Sequence, residues 1–320
     1  MRWCDVCHRS WTFAYCGQHP HTRQPGPARP TQAHVPCAAP VTLDRVYHAL
    51  LAALPLAPSH RQALRQRGLA DSEILRRQYR TLPLAGRAAL ATRMVAWWGA
   101  DVCAHIPGFY VAARDSRRWW SLAGAAGLLI PVRDRDGHIV ALKVRADIPG
   151  DGPKYTTISS AKHGGPSPGA QVHVPLHDAP TSDTVRLTEG ELKADVATVC
   201  SGMLTVSVPG VAMWRKVLPV FEALQPQRVL LAFDADWRTN PHVAHALGQA
   251  AFALVQAGYA VQVEVWDPTL GKGVDDLLAA GYPPVVQSVA LAFGASVRGQ
   301  ARVWTGQLRT VAAEEVPPWR

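Results

Sequence analysis

The stretch "VLLAFDADWR", residues 229–238, decides the fold class. Four apolar residues, Val229 to Ala232, lead into Phe233 and predict a buried strand. Two carboxylates, Asp234 and Asp236, follow this strand with one residue between them. Because burial makes an unpaired charge costly, acids at the mouth of a buried strand need a compensating cation.

The sequence on both sides of this stretch alternates between strand and helix patterns. Helices are predicted from about Glu191 to Cys200, near Trp214 to Ala223, and from about Pro241 to Ala257. Such alternation predicts a parallel α/β sheet from residue 184 onward. The segments assigned to strands are "VRLTEG", "LTVSV", "RVLLAF" and "AVQVEVW", followed by the turn "GKGVDDLLAAG".

Acids follow three of these strands. They are Glu189 after the first strand, Asp234 and Asp236 after the third, and Asp275 and Asp276 in the turn after the fourth. Ligands of open α/β sheets bind at the carboxyl ends of the strands, and neighbouring anions repel unless a cation joins them. We therefore predict a Mg²⁺ or Mn²⁺ site for phosphoryl chemistry, with ordinary loop acids as the alternative.

Four blocks in this order resemble the Toprim domain, which bacterial-type DNA primases, topoisomerases and some nucleases share. The blocks "LTEGELKADVAT", "VPGV", "LLAFDAD" and "GKGVDDLLA" are most similar to Toprim-like proteins of plasmids, phages and other mobile elements. The resemblance implies that Glu189 is a general acid/base or metal-bridging carboxylate. It also implies that Asp234 and Asp236 hold divalent metal.

The chain departs from the family pattern at two places. Lys193 stands where primases usually carry an Asp four residues after the Glu, and Gly273 separates Lys272 from Asp275. Both departures reduce the acids in the site. We expect Lys193 and Lys272 to contact phosphates.

The segment "LLIPVRDRDGHIVALKVRA", residues 128–146, predicts a hairpin around Asp136-Gly137. It resembles the subdomain that precedes Toprim in bacterial primases, which implies a basic ridge for template DNA. The residues that fit this ridge are Arg133, Arg135, Lys143 and Arg145. The alternative is a solvated hairpin edge.

The N-terminus carries a candidate zinc site. Cys4 and Cys7, followed by Cys16 and His19, have the spacing of a small zinc knuckle, although His21 or Cys37 could replace His19. Bacterial and phage primases carry zinc modules in this position. Chance clustering of cysteines is the alternative.

Composition agrees with a polyanionic partner. The chain has 33 Lys and Arg against 24 Asp and Glu, a formal net charge of +9, although arginine enrichment from a GC-rich genome would give the same excess. No run approaches the roughly 18 apolar residues of a membrane span, and no secretory signal is readable, so we expect a cytoplasmic protein without membrane partners. Tryptophan pairs at 97–98 and 119–120 either stack bases or, as we expect, pack in the core.

These patterns predict an α/β protein of five parts. They are a zinc-binding segment and Pro-rich linker (1–37), a basic helical region (38–122), a primase-type α+β subdomain with the basic hairpin (123–183), a Toprim catalytic domain (184–286) and a tail (287–320).

The predicted function is a DNA primase that makes short RNA primers from NTPs on a single-stranded DNA template. A separate replicative helicase is a candidate partner. A Toprim nuclease and a non-catalytic replication-accessory protein are the alternatives.

Overall fold

The computed structural model describes residues 2–4, 9–11, 35–149, 152–178 and 183–294. The chain divides into two units, residues 1–34 and residues 35–320. In the first unit, strands β1 (Arg2–Cys4) and β2 (Arg9–Trp11) pair antiparallel. The predicted zinc ligands Cys7, Cys16 and His19 lie outside the described residues, as does the Cys4 side chain. The zinc site therefore stays a prediction.

The second unit contains the remaining elements. Its helices are α1 (Pro40–Ala52), α2 (Pro58–Gln66), α3 (Asp71–Arg76), α4 (Arg87–Trp98), α5 (Ala100–Ala104), α6 (Glu191–Ser201), α7 (Leu218–Leu224), α8 (Pro241–Gln256), α9 (Val274–Ala279) and α10 (Val289–Gly294). Its strands are β3 (Arg80–Leu82), β4 (Phe109–Arg114), β5 (Arg117–Leu122), β6 (Gly127–Arg133), β7 (Ile139–Ala146), β8 (Tyr155–Thr157), β9 (Thr184–Glu189), β10 (Thr205–Val208), β11 (Arg228–Leu231), β12 (Ala260–Val265) and β13 (Val285–Ser288). Short 3-10 turns occur at Ala161–His163, Val211–Val217 and Ala235–Arg238.

The predicted parallel α/β sheet is confirmed. Its strand order is β10-β9-β11-β12-β13, and the first four strands are parallel. Helices cover it because a parallel sheet is apolar on both faces. The edge strand β13 runs antiparallel to β12 and was not predicted, since its residues are largely exposed and carry no buried apolar pattern.

An antiparallel sheet of order β3-β6-β7-β8 precedes the parallel one. The predicted hairpin is confirmed as β6–β7, with its turn at residues 134–138. It is the centre of this sheet rather than an edge, and every residue of β6 is buried. Burial on both sides of β6 explains why its sequence reads as a continuous apolar run.

The region 38–122 is helical only in part. Five helices are present, but β3 joins the antiparallel sheet, and β4 and β5 form a separate two-stranded hairpin. Aromatic residues in "FYVAAR" and "RRWWSL" favour strands, and Asp115 turns the chain with a φ of 55°. The helical assignment of this segment was therefore wrong at residues 109–122.

The two sheets pack through a shared apolar cluster within the second unit. Leu128 and Ile130 of β6 contact Leu192 and Val196 of α6, together with residues of α2 and α3. This contact anchors the start of α6, where the predicted site begins. None of the described helices has the length and apolar character needed to cross a membrane.

Candidate functional site

The turn from β9 into α6 carries Glu189. Gly190 has a φ of +87°, a left-handed value that favours glycine, and it allows the helix to begin directly after the strand. The Glu189 carboxylate accepts a hydrogen bond from the Val211 backbone N–H at 3.2 Å. Burial raises the pKa of Glu189, and this effect is only partly offset by Lys193. A carboxyl of this kind exchanges protons closer to neutral pH than an ordinary glutamate.

The turn after β11 carries Asp234 and Asp236. Asp234 is buried, whereas Asp236 is exposed. The Ala235 backbone N–H donates to the Lys272 carbonyl at 3.0 Å, which holds the loop before α9 against this turn. The structure therefore brings the turns bearing Glu189, Asp234 and Asp236 to one edge of the sheet, beside the loop that leads to Asp275.

Two lysines lie among these acids. The Lys193 ammonium donates to Asp234 Oδ1 and lies 4.0 Å from Glu189 Oε1. Lys272 Nζ lies 3.5 Å from Asp234 Oδ2 and 3.9 Å from Asp236 Oδ2, with its side chain 70% exposed. Both lysines, expected on phosphates, contact the carboxylates, so Asp234 is compensated by the protein itself.

The last acidic turn is held differently. Asp275 is buried and forms an ion pair with Arg67, a residue that follows α2. Burial raises the pKa of Asp275, and the Arg67 guanidinium offsets part of the rise. Asp276 accepts the Gly273 backbone N–H at 3.4 Å and so caps α9. No sequence pattern pointed to Arg67, because it lies 208 residues from its partner.

Only some of these carboxylates are available to coordinate a divalent metal ion. Both oxygens of Asp234 face lysines, and Asp275 is buried with one oxygen on Arg67, so neither carboxylate is open to an entering ion. Glu189 and Asp236 remain at 3.9 Å or more from a lysine nitrogen. Since Mg²⁺ needs only one or two carboxylates besides waters and phosphates, Glu189 and Asp236 are the residues of this site that are left to hold an ion. Asp275 and Asp276, also predicted as ligands, are committed to Arg67 and to the helix cap.

Within the described ranges, the one group of three potential ligands whose atoms lie within 4.8 Å of one another is at the turn of the β6–β7 hairpin, and not among Glu189, Asp234 and Asp236. Its members are Asp134, Asp136 and His138. Asp134 Oδ1 accepts the backbone N–H groups of Asp136 and His138, at 3.0 and 2.9 Å. These bonds stabilise the turn, which accounts for the grouping without an ion.

The predicted basic ridge requires a correction at two of its four residues. Lys143 is buried, and its ammonium lies 2.6 and 2.7 Å from the two Glu191 carboxylate oxygens. Arg133 is also buried and donates to the Gly137 carbonyl and to Gln78. Both cations are internal because β6 and β7 are central strands. Arg135 is exposed and Arg145 half-buried, so their DNA contact stays a prediction.

A second basic surface lies on the β4–β5 hairpin. Arg114 pairs with Arg117 and Ala112 with Trp119 across the strands, so the two arginines and Trp119 share one face with Tyr110. We call Tyr110, Arg114, Arg117 and Trp119 the Arg–Trp face. Both arginines are exposed and form no ion pair within the described part of the chain. Trp119 is 38% exposed, and the Tyr110 ring stacks on His163 with centroids 3.7 Å apart.

The other tryptophans of the two pairs divide between core and surface. Trp98 and Trp120 pack against the main apolar core of the helical region. Trp97 is exposed beside Arg93, whose guanidinium carbon is 5.5 Å from the ring centroid. The expectation of core packing therefore holds for one tryptophan of each pair.

Comparison with known proteins places the fold. A family model described as a domain of unknown function, DUF3854, matches residues 179–283. No curated protein sequence matches the chain significantly.

Three solved structures are similar over most of the chain. A DnaG primase catalytic domain bound to single-stranded DNA has a TM-score of 0.54 at 18% identity, covering 80% of this chain and 78% of that one. A DNA primase domain from Pseudomonas aeruginosa gives 0.58 at 17%, covering 78% and 81%. The E. coli primase catalytic core gives 0.55 at 18%, covering 85% and 91%. The chain thus has the mixed α/β fold of the DnaG primase catalytic core.

Proposed function

We propose that the protein is a Toprim-type DNA primase that joins ribonucleotides on a single-stranded DNA template. The observation that carries this proposal is the gathering of Glu189, Asp234 and Asp236 at one sheet edge, in a chain with a primase-core fold. Strand ends are where α/β sheets bind ligands, and clustered carboxylates suit a cation that neutralises phosphates. The predicted zinc segment, cytoplasmic location and separate helicase partner belong to this proposal.

The chain's own residues divide the chemical work. Glu189 and Asp236 would hold one Mg²⁺ or Mn²⁺, which supplies charge neutralisation for the phosphates of the incoming nucleotide. Alternatively Asp236 would hold the ion alone, and Glu189, whose pKa burial raises in the metal-free protein, would accept the proton of an attacking 3′-hydroxyl. Lys272, largely exposed and only loosely paired, is free to reach a triphosphate.

Template DNA would contact the Arg–Trp face. Its two arginines carry uncompensated positive charge, and Trp119 presents ring surface on which a base can stack. Backbone neutralisation combined with aromatic stacking is how proteins bind single strands without reading sequence. A DnaG catalytic domain is known in complex with single-stranded DNA, which supports such a role for this fold. Arg135 and Arg145 are further candidates for phosphate contacts.

A replication-accessory protein that binds DNA without synthesis is the second candidate. The contact between Lys193 and Asp234 favours it, because an Asp234 paired with an ammonium is less available as a metal ligand. The two candidates share the DNA surface and differ only in the carboxylate site.

A primer-synthesis assay separates these candidates. The full chain would be incubated with single-stranded DNA, labelled NTPs and either Mg²⁺ or Mn²⁺, alongside Asp236→Asn and Glu189→Gln. A primase makes short RNA, and each variant lowers the yield at least about a hundredfold, in the range seen when catalytic groups are removed. Asp101→Asn, at an exposed acid of α5, is the control and should keep full activity. DNA binding without any product from the wild type would establish the accessory role.

A further inference from the structure

We infer that the Lys193 ammonium is a built-in cation of the carboxylate site and takes the position that a divalent ion would otherwise occupy beside Asp234. The free protein then binds divalent metal weakly, through the outer carboxylates alone. The inference concerns the site of the proposed function, but it makes no use of primer synthesis.

The position of Lys193 follows from the geometry of α6. Lys193 is the third residue of that helix, four residues after Glu189. Helical side chains lean toward the N-terminus of their helix, so this one points back over the carboxyl edge of the sheet. Its ammonium contacts Asp234 and lies 4.0 Å from Glu189 Oε1, and its charge lowers the pKa of both Glu189 and Asp275 against the raising effect of burial. One ammonium therefore serves three acids from three different turns.

The loop before α9 lies alongside this side chain, and its glycine is required by Asp275. A Cβ added at Gly273 would lie 3.4 Å from both Cδ and Cε of Lys193 and would clash with Asp275 Oδ1. A Cβ at Gly190 would lie 4.0 Å from Cγ and Cδ of the same side chain. The lysine stem thus runs between two glycines. The two departures from the family pattern, Lys193 and Gly273, are therefore neighbours in space.

The charge balance leads to the same conclusion. Five carboxylates (Glu189, Asp234, Asp236, Asp275 and Asp276) face three cationic groups (Lys193, Lys272 and Arg67). With all five ionised, two negative charges are left, and removing Lys193 would leave three. Asp275 Oδ1 is buried and has no hydrogen-bond partner among the described atoms, so a nearby positive charge is its compensation. A divalent ion entering beside Asp234 would have to displace the ammonium or suffer its repulsion.

The test compares Mn²⁺ binding by the full chain and by Lys193→Met, a variant of similar length without the charge. Electron paramagnetic resonance of free Mn²⁺ gives the dissociation constant, and the melting temperature with and without Mn²⁺ gives an independent readout. We expect Lys193→Met to bind Mn²⁺ at least about tenfold more tightly at this site, a gain of about 1.4 kcal/mol, and to gain more in melting temperature on adding metal. Adding Asp234→Asn to that variant should abolish the gain.

Two control variants keep the test decisive. Lys162→Met removes an exposed lysine elsewhere and should leave Mn²⁺ binding unchanged. Lys193→Arg keeps the charge and should bind Mn²⁺ as weakly as the wild type. This comparison remains usable if Lys193→Met turns out to fold only when Mn²⁺ is present. Other metal-binding groups, such as those at residues 134–138, are common to all variants and cancel in the comparison.

Equal Mn²⁺ affinities of the wild type and Lys193→Met, or a weaker variant, would overturn the inference. Tight Mn²⁺ binding by the wild type that Asp234→Asn removes would also overturn it. If the protein fails to make primers, the proposed function is contradicted. The inference about Lys193 is unaffected, because it rests on Mn²⁺ binding and not on synthesis.

Discussion

The β4–β5 and β6–β7 hairpins are both rich in basic residues, yet they use them in opposite ways. In β6–β7 two cations point inward, where Lys143 forms a buried ion pair with Glu191 and Arg133 donates to interior acceptors. Arg135 in its turn is exposed, and Arg145 is half-buried. In β4–β5 the arginines Arg114 and Arg117 face solvent beside Trp119. The first hairpin is the centre of a four-stranded sheet, whereas the second has no other strand on either side within the described residues.

This difference shows that basic residues in a strand do not by themselves indicate a DNA-binding surface. A cation on a central strand must be paired inside the protein, because burial without a partner is costly. A cation on an isolated hairpin stays hydrated and available to phosphates. Lys143 of β7 therefore supports the start of α6 next to Glu189, and the β4–β5 arginines are the first candidates for nucleic-acid contact.

The largest expected effect is the loss of the Lys143 ion pair. Lys143→Met leaves the Glu191 carboxylate buried without its cation, so the free energy of unfolding should fall by about 3–5 kcal/mol. Urea unfolding at neutral pH measures this loss. Adding Glu191→Met should restore most of it, because replacing both partners of a buried pair is often nearly neutral. A loss under about 1 kcal/mol in the single variant would mean that the two hairpins do not differ in this way.

The next effect concerns the exposed arginines. Changing Arg114 and Arg117 together to Glu should weaken single-stranded DNA binding at least about tenfold, because two phosphate contacts become repulsive. Fluorescence anisotropy at several salt concentrations would show both the lower affinity and a shallower salt dependence. Arg228→Glu, at an exposed position at the start of β11, is the matched control. An unchanged salt slope in the double variant would move the DNA path away from this hairpin.

Removing the aromatic ring of the same face should have a smaller effect. Trp119→Ala should cost about 1 kcal/mol of DNA affinity, since one partly exposed ring stacks one base. The salt dependence should stay as in the wild type, because no charge is removed. Trp97→Ala, at an exposed ring on α4, should leave binding unaltered. If Trp119→Ala and Trp97→Ala lowered the DNA affinity equally, the Arg–Trp face would not be the surface on which a base stacks.

The last prediction concerns a stability contribution that disappears at acid pH, and it tests how the β6–β7 hairpin is anchored. The Arg133 backbone N–H donates to His173 Nδ1 at 3.0 Å, and His173 Nε2 lies 3.3 Å from Asp195 Oδ1. Burial by itself raises the pKa of Asp195, but His173, Arg77 and Tyr79 more than offset it, so the net pKa is lowered.

A lowered pKa in the folded protein means that Asp195 contributes stability above its unfolded pKa. This contribution is lost as pH falls through the folded pKa. The wild type should therefore exceed Asp195→Asn in unfolding free energy at about pH 6, by a margin that shrinks below about pH 4. Urea unfolding at a series of pH values measures the margin. A margin that stays constant down to about pH 2 would contradict the lowered pKa.

Local patterns were sufficient for part of the site. The Gly190 turn and the apolar strand before Asp234 are local features, and they alone place Glu189 and Asp234 at strand ends. The ion pairs could not be predicted from the sequence, because their partners lie far apart along the chain. Examples are Arg67 with Asp275 and Lys143 with Glu191. The β4–β5 hairpin was not predicted, because the sequence before it has helical periodicity. Its aromatic residues did favour strands.

The sequence by itself determined the alternation of strands and helices, the turns that bear the acids and the overall positive charge. These depend on periodicity and on single residues such as glycine, whose effects are local. Only the tertiary structure decided which charges compensate one another. It placed Lys193 on Asp234 and between two glycines, buried Lys143, and left Arg114 and Arg117 exposed. The physical reason is that the energy of a charge depends on its burial and on its neighbours in space, and folding alone sets both.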